Sequence, residues 1–244
     1  MSLIETTTNR TVFKKAESMM LVPYVYNSTV NDYVLGGDVY DISAIIGDSI
    51  VIEQSEGETT TKYNEFVANP LLETVSGSKY AFTAQCRDLQ NNVLKSLFGV
   101  MTVNNIAGLA AFNDDFVPIY ALVRIRFEDE GVPDVVLPMV KMNSKLYLQQ
   151  LRSNAGQGNI SGTARSRTIA IQGLSNHLFQ FNIPHKGTTT YTPYTPVLFV
   201  PRTHNVFVSY AGDQYSQINF QTGAVLHNVT VNATAGTWSA ISPQ

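Results

Sequence analysis

Arg124 and Arg126 stand two residues apart in IYALVRIRF (119–127). Residues i and i+2 of a strand point to the same face, so the spacing sets two guanidinium groups side by side. Such a pair suits an oxyanion, either phosphate or a carboxylate of a neighbouring chain. Arg165 and Arg167 repeat the spacing in ARSR (164–167). Acidic counterparts are concentrated elsewhere: GDSIVIEQSEGETTTKYNEF (47–66) carries Glu53, Glu56, Glu58 and Glu65. Arg124 and Arg126 read either as an exposed strand face or as a contact with phosphate or an acidic neighbour. If Glu56 and Glu58 pair with Arg124, Arg126, Arg165 or Arg167 of another copy, assembly should weaken with salt.

Other chemistry is hard to find. The chain has no GxSxG, HExxH, CxxC or P-loop pattern. Gly156-Gln157-Gly158 lacks the third glycine of a dinucleotide fingerprint and reads as loop. His177, His185, His204 and His227 share no metal-ligand spacing and read as ordinary surface or turn residues. Asn113-Asp114-Asp115 and Glu128-Asp129-Glu130 lack the spaced oxygen ligands of a calcium loop and read as solvated turns. The single cysteine, Cys86, reads as a small buried hydrophobe. No catalytic residue, cofactor or metal is expected, and an enzyme is the class these residues support least.

Composition narrows the class further. The chain of 244 residues has 44 % apolar residues, enough for a core, but only 14 % charged residues. Thr, Asn, Gln and Ser fill the difference, which suits strands whose outer faces meet other protein. A net charge of −3 argues against a nucleic-acid reader. No secretory signal is visible, and no run approaches the ~18 apolar residues of a membrane helix.

The elements that must position these residues are mostly strands. Residues 1–17 read as a polar N-terminal arm, and SMMLVPYVY (18–26) as an edge or bulged strand because of Pro23. Residues 48–67 read as a long hairpin: a strand over 48–54, a turn at 55–58 and a return over 59–67. In KYAFTAQC (79–86), Tyr80, Phe82, Ala84 and Cys86 share one face. A helix is expected over about 88–98, capped by Asp88, with Leu89, Val93, Leu94, Leu97 and Phe98 on one stripe and Gly99 ending it. It should pack singly against a sheet. In 119–127, Ile119, Ala121, Val123, Ile125 and Phe127 share one face, and Leu122, Arg124 and Arg126 share the other, more polar one. A long strand over 135–149 should bulge at Pro138. SNAGQGNISG (153–162) reads as a flexible loop, and ARSRTIAIQ (164–172) as one strand. Beyond 183 come five short apolar runs, at 197–200, 205–210, 215–220, 224–231 and 237–241. They either close the same barrel or form a small appended β-module over 184–244.

The order of these features resembles the tail tube (major tail) proteins of long-tailed bacteriophages. The likeness covers about residues 15–183. It is carried by GDSIVIEQSEGETTTKYNEFVANPLLE, by YAFTAQCRDLQNNVLKSLFG and by VPDVVLPMVKMNSKLYLQQLRSNAGQGNISGTARSRTIAIQG. The resemblance implies a β-barrel or sandwich domain over 1–183 with one flanking helix, a hairpin arm and an N-terminal arm. It implies a structural virion protein, assembled in the host bacterial cytoplasm, that forms stacked and most simply hexameric rings around a lumen. DNA would pass through that lumen without specific binding, past a neutral or acidic lining that repels phosphate. Partners would be further copies of the chain and other tail proteins such as tape measure, terminator and distal tail proteins, with no membrane. Assembly residues under this reading are Glu53, Glu56, Gly57, Glu58, Lys62, Tyr63, Arg124, Arg126, Arg165 and Arg167. The alternatives are another virion β-protein (a tail terminator, connector or capsid decoration) or a carbohydrate-binding β-sandwich, which the twelve tyrosines and Trp238 would serve.

Overall fold

The computed structural model describes residues 16–42, 45, 49–56, 59–64, 67–75, 77, 79–87, 95, 97–102, 110–112, 119–129, 132–143, 145–147, 157–172, 177–178, 183–184, 190–191, 194–200, 202, 205–211, 214–232 and 237–240. In chain order the strands are β1 (Ala16–Asn27), β2 (Asp32–Leu35), β3 (Tyr40–Ile42), β4 (Val51–Ser55), β5 (Thr59–Asn64), β6 (Val67–Val75), β7 (Lys79–Cys86), β8 (Val100–Thr102), β9 (Ala110–Phe112), β10 (Tyr120–Phe127), β11 (Asp134–Met142) and β12 (Lys145–Tyr147). There follow β13 (Gln157–Arg165), β14 (Arg167–Gln172), β15 (His177–Leu178), β16 (Ile183–Pro184), β17 (Thr190–Tyr191), β18 (Tyr194–Thr195), β19 (Leu198–Val200), β20 (Val206–Tyr210), β21 (Gln214–Asn219), β22 (Ala224–Asn232) and β23 (Thr237–Ala240). The chain is mainly β, and every strand pairing among the described residues is antiparallel.

Two sheets dominate. The first runs β2-β1-β10-β11-β13-β7-β4, with β3, β12 and β19 joined to it as branches. The second runs β17-β14-β20-β21-β22-β23, with β18 beside β14. Among the described residues the first sheet ends at β2 and β4, which do not pair, so it is open, and of the expected barrel or sandwich the closed barrel is corrected. Residues 198–200 add to the first sheet beside β11, while 206–240 build the second on β14.

The first sheet is buried on both faces along its central strands. On β10, Ala121, Val123 and Ile125 join Met19, Leu21, Phe82, Cys86, Leu137 and Ile160 in one core. On the other face of the same strand, Leu122 joins Val22, Val136, Ile169, Val206, Val208, Ile218 and Phe220 beneath the second sheet. Period-2 alternation sends the two sets of side chains opposite ways. A half-buried sheet alternates apolar with polar, but a doubly covered strand is apolar on both sides. β11 follows that rule, being buried at every position except Lys141.

Several local readings hold for identifiable reasons. Leu97 and Phe98 are helical and sit in the first core, and Gly99 has φ 68°, the left-handed conformation that a helix-ending glycine supplies. Residues 88–94 of the expected helix lie outside the described residues, as does the arm 1–15. The bulge at Pro138 is present: Ala121 pairs with Val140 and Val123 with Leu137, so β11 carries one residue more than β10 there. A bulge frees a carbonyl from the ladder, and the Tyr24 hydroxyl donates to Pro138 O at 2.5 Å. Burial pushes the Tyr24 phenol above its ordinary pKa.

Four readings are corrected. First, 48–67 is not one hairpin: β4 pairs with β7, and β5 pairs with β6. Ile50 and Ile52 pack on the first core, and that burial ties β4 to Phe82 of the main sheet rather than to the threonines of 59–61. Second, of the edge or bulged strand expected over 18–26, the edge is corrected, because β10 lies on one side of β1 and β2 and β3 on the other, while a register shift is present at Ala16/Ser18 rather than at Pro23. Third, 157–162 is no loop but the start of β13, held between β11 and β7. Gly162 reflects close packing: a Cβ there would lie 2.4 Å from Val140 Cγ1 and 2.6 Å from Lys141 O. Fourth, 164–172 is broken at Ser166, where the chain leaves the first sheet as β13 and enters the second as β14.

Candidate functional site

Arg124 lies on the face of β10 that the second sheet covers, and its side chain is 2 % exposed. Asp134, the first residue of β11, has a side chain 1 % exposed. Arg124 Nε donates to Asp134 Oδ2 at 2.6 Å, Nη2 donates to the same oxygen, and Nη1 donates to Phe220 O at 3.2 Å. The guanidinium carbon stands 4.2 Å above the Phe220 ring. Arg124 is thus committed within the fold, which corrects its expected role as a surface cation.

Two further guanidinium groups approach the same carboxylate. Arg202 Nε lies 3.6 Å and Arg126 Nε 4.0 Å from Asp134 Oδ1. Neither nitrogen makes a hydrogen bond there, and Oδ1 is buried without a hydrogen-bond partner among the described residues. Arg202 has other company: Nη2 donates to Asp129 O at 3.1 Å, and Nη1 lies 3.8 Å from the exposed carboxylate of Glu17. Burial raises the Asp134 carboxyl above the usual range, against the pull of the surrounding guanidinium groups.

A pocket of about 470 Å³ opens beside this cluster. β3, β1 and β10 run side by side and form one wall, with Met20 paired to Asp41 on one flank and to Arg124 on the other. Ser18, paired to Arg126, continues that wall. The turn 220–223 after β21 forms the opposite side, with Phe220, Gln221, Thr222 and Gly223 lining the space.

The remaining expected residues are dispersed. Glu53 is exposed on β4 opposite Ala81, and Glu56 is exposed just beyond that strand. Gly57 and Glu58 lie outside the described residues. Lys62 and Tyr63 are on β5, opposite Leu72 and Pro70 of β6. Arg165 is exposed at the end of β13. Arg167 is corrected to an internal clamp: Nη2 donates to Asp32 Oδ2 and to Tyr33 O, each at 2.9 Å, and Nε donates to Ser209 O at 2.8 Å. This ties the β1–β2 hairpin to the second sheet. Burial works to raise the Asp32 carboxyl, but bonds from the Ala211 and Tyr33 amides and from Arg167 outweigh it and hold the group below its ordinary value.

Sequence reasoning missed Asp134, Arg202 and Asp32. Asp134 carried one legible signal, a carboxylate directly before the apolar run VVLPMV. Arg202 and Asp32 carried none, because their partners are distant in the chain. Ser216 Oγ and His227 Nδ1 also lie 3.0 Å apart, with Ser216 1 % exposed. Comparison with protein-family models and with curated proteins finds no match to this sequence.

Proposed function

We propose that this chain is a structural subunit that works by assembling with copies of itself, as a tail tube protein of the kind the sequence resembles. One observation supports this most. Ser55, the last residue of β4, pairs with Lys79, the first of β7. Residues 56–78 are therefore an excursion between two adjacent strands of the main sheet. Within it β5 and β6 form a two-stranded sheet of their own. A lone two-stranded ribbon is marginal in water, so an added partner would stabilise it, and a second copy supplies one. Glu56, Gly57, Glu58, Lys62 and Tyr63, five of the expected assembly residues, all fall in this excursion.

The sheet edges support the same reading. Among the described residues, β2 and β4 end the first sheet with one side unpaired. On β4, Val51 is 48 % exposed and Glu53 and Ser55 are exposed beside it. An open edge is an aggregation hazard in a monomer and an assembly surface in a ring. In such a tube the acidic balance of the chain would let DNA slide rather than bind.

The test is excision. Replacing residues 57–77 by Asn-Gly joins β4 to β7 through a two-residue turn suited to the register already present. Sedimentation should show the full chain forming large assemblies as concentration rises, and the excised chain folded and monomeric. Equal assembly by both chains would overturn the role of the excursion. A carbohydrate-binding sandwich has one observation in its favour. Tyr26, Tyr33 and Tyr120 form a partly exposed aromatic row with centroid spacings of 5.4 and 5.0 Å. Saturable quenching of tyrosine fluorescence by a sugar would favour that reading.

A further inference from the structure

Of the three guanidinium groups around Asp134, two are accounted for. Arg124 bonds Asp134 and Phe220 O, and Arg202 bonds Asp129 O and neighbours Glu17. Arg126 is different. No hydrogen-bond partner is recorded for it among the described residues, its Nε is buried, and the side chain is 30 % exposed where it lines the pocket. Arg124 lines the same space from behind. Arg124 uses three of its five N–H donors on Asp134 and Phe220 O, and Arg126 has its own set to offer. The hydroxyls of Ser18 and Thr222 and the amide of Gln221 stand around the same opening. Asp41 lines the far wall, one strand beyond Met20. At the usual strand spacing its Cα is about 10 Å from that of Arg124. Its carboxylate shares the opening with the arginines and would oppose a bound anion, a repulsion that water in the opening reduces.

We propose that this pocket is an oxyanion site in which Arg126, backed by Arg124 and flanked by Ser18 and Thr222, takes a carboxylate or phosphate group. Planar N–H forks match both groups in bidentate fashion. The shared carboxylate leaves both Arg126 Nε and Arg202 Nε without a hydrogen bond. Arg202 bonds Asp129 O instead, and the anion would give Arg126 its acceptor. Two sources carry this chemistry: a free inorganic or small organic oxyanion, or a glutamate from the 53–58 stretch of a second copy. The second source rests on the assembly reading, whereas the first does not.

Thermal unfolding of the full chain tests the site with sodium phosphate, against sodium chloride at matched ionic strength. Phosphate should raise the melting temperature saturably and chloride should not. Arg126→Gln should weaken phosphate binding at least about tenfold, and Asp41→Asn should tighten it at least about twofold, the factor for one charge about 10 Å away or nearer in water. A shift of equal size in chloride, or one unchanged by Arg126→Gln, would overturn the proposal. If Arg126→Gln fails to fold, the proposal still stands or falls on Asp41→Asn, whose side chain is exposed, and unaltered phosphate affinity there would sink it. A peptide of residues 53–58 then separates the sources. Binding that phosphate displaces assigns the site to a second copy, and phosphate binding without peptide binding assigns it to a free oxyanion.

Discussion

Removing Asp134 should be among the most damaging single changes in this chain. In Asp134→Ala the Arg124 guanidinium loses the acceptor of its Nε and Nη2 donors while staying 2 % exposed and held over Phe220. Arg126 and Arg202 lose the carboxylate they share, so three like charges, two on β10 and one just beyond β19, are left around its place. Breaking a buried ion pair from one side costs about 3–5 kcal/mol, because the surviving charge is left uncompensated. For a chain of this size each kcal/mol lowers the melting temperature by about 2–4 °C. A fall on the order of 10 °C is expected, read by calorimetry and by urea titration with an unchanged slope. The double change Arg124→Met/Asp134→Leu should recover most of the loss, since apolar replacements of similar volume often match a buried pair. If Asp134→Ala costs under about 1 kcal/mol, the value of an exposed pair, then Arg124 reaches water and its burial beneath the second sheet is wrong.

Three other outcomes follow from the geometry. Gly162→Ala should cost about 1–3 kcal/mol in urea unfolding, because the new methyl meets backbone at Lys141 O as well as the Val140 side chain. Asp32 should make stability acid-sensitive: its folded pKa is lowered, so its contribution is present above the unfolded value of about 4 and is lost as pH falls through the folded one. The melting temperatures of the wild type and Asp32→Asn should therefore differ near neutrality and converge at low pH, and a pH-independent gap would contradict this. Assembly that uses exposed Glu53, Glu56 and Arg165 should weaken as NaCl rises from about 0.05 to about 1 M, whereas indifference to salt would exclude those contacts.

Parity along a strand was legible from sequence, and what lies over each face was not. Alternation placed Ala121, Val123 and Ile125 together, and they share one core. It placed Leu122 and Arg124 together too, but as an outward polar face. The cover over them comes from Leu198, Val206, Ile218 and Phe220, distant in the chain, and nothing local announces it. Texture also misled at 157–162, where Gly162 makes room for the neighbouring β11. The short runs after 197 were recognisable because each begins and ends at turn residues, and β19 to β23 match them closely. Pairing partners were the least legible feature. β4 and β7 are adjacent in the sheet yet separated by residues 56–78, so local hairpin logic joined β4 to the wrong strand.

The central claim, assembly through that excursion, is met most directly by electron microscopy of the concentrated full chain beside the chain with residues 57–77 replaced by Asn-Gly. The account predicts hollow tubes or stacked rings of uniform width for the first and isolated particles for the second. A full chain that remains monomeric at every concentration, or an excised chain that builds the same tubes, would contradict it.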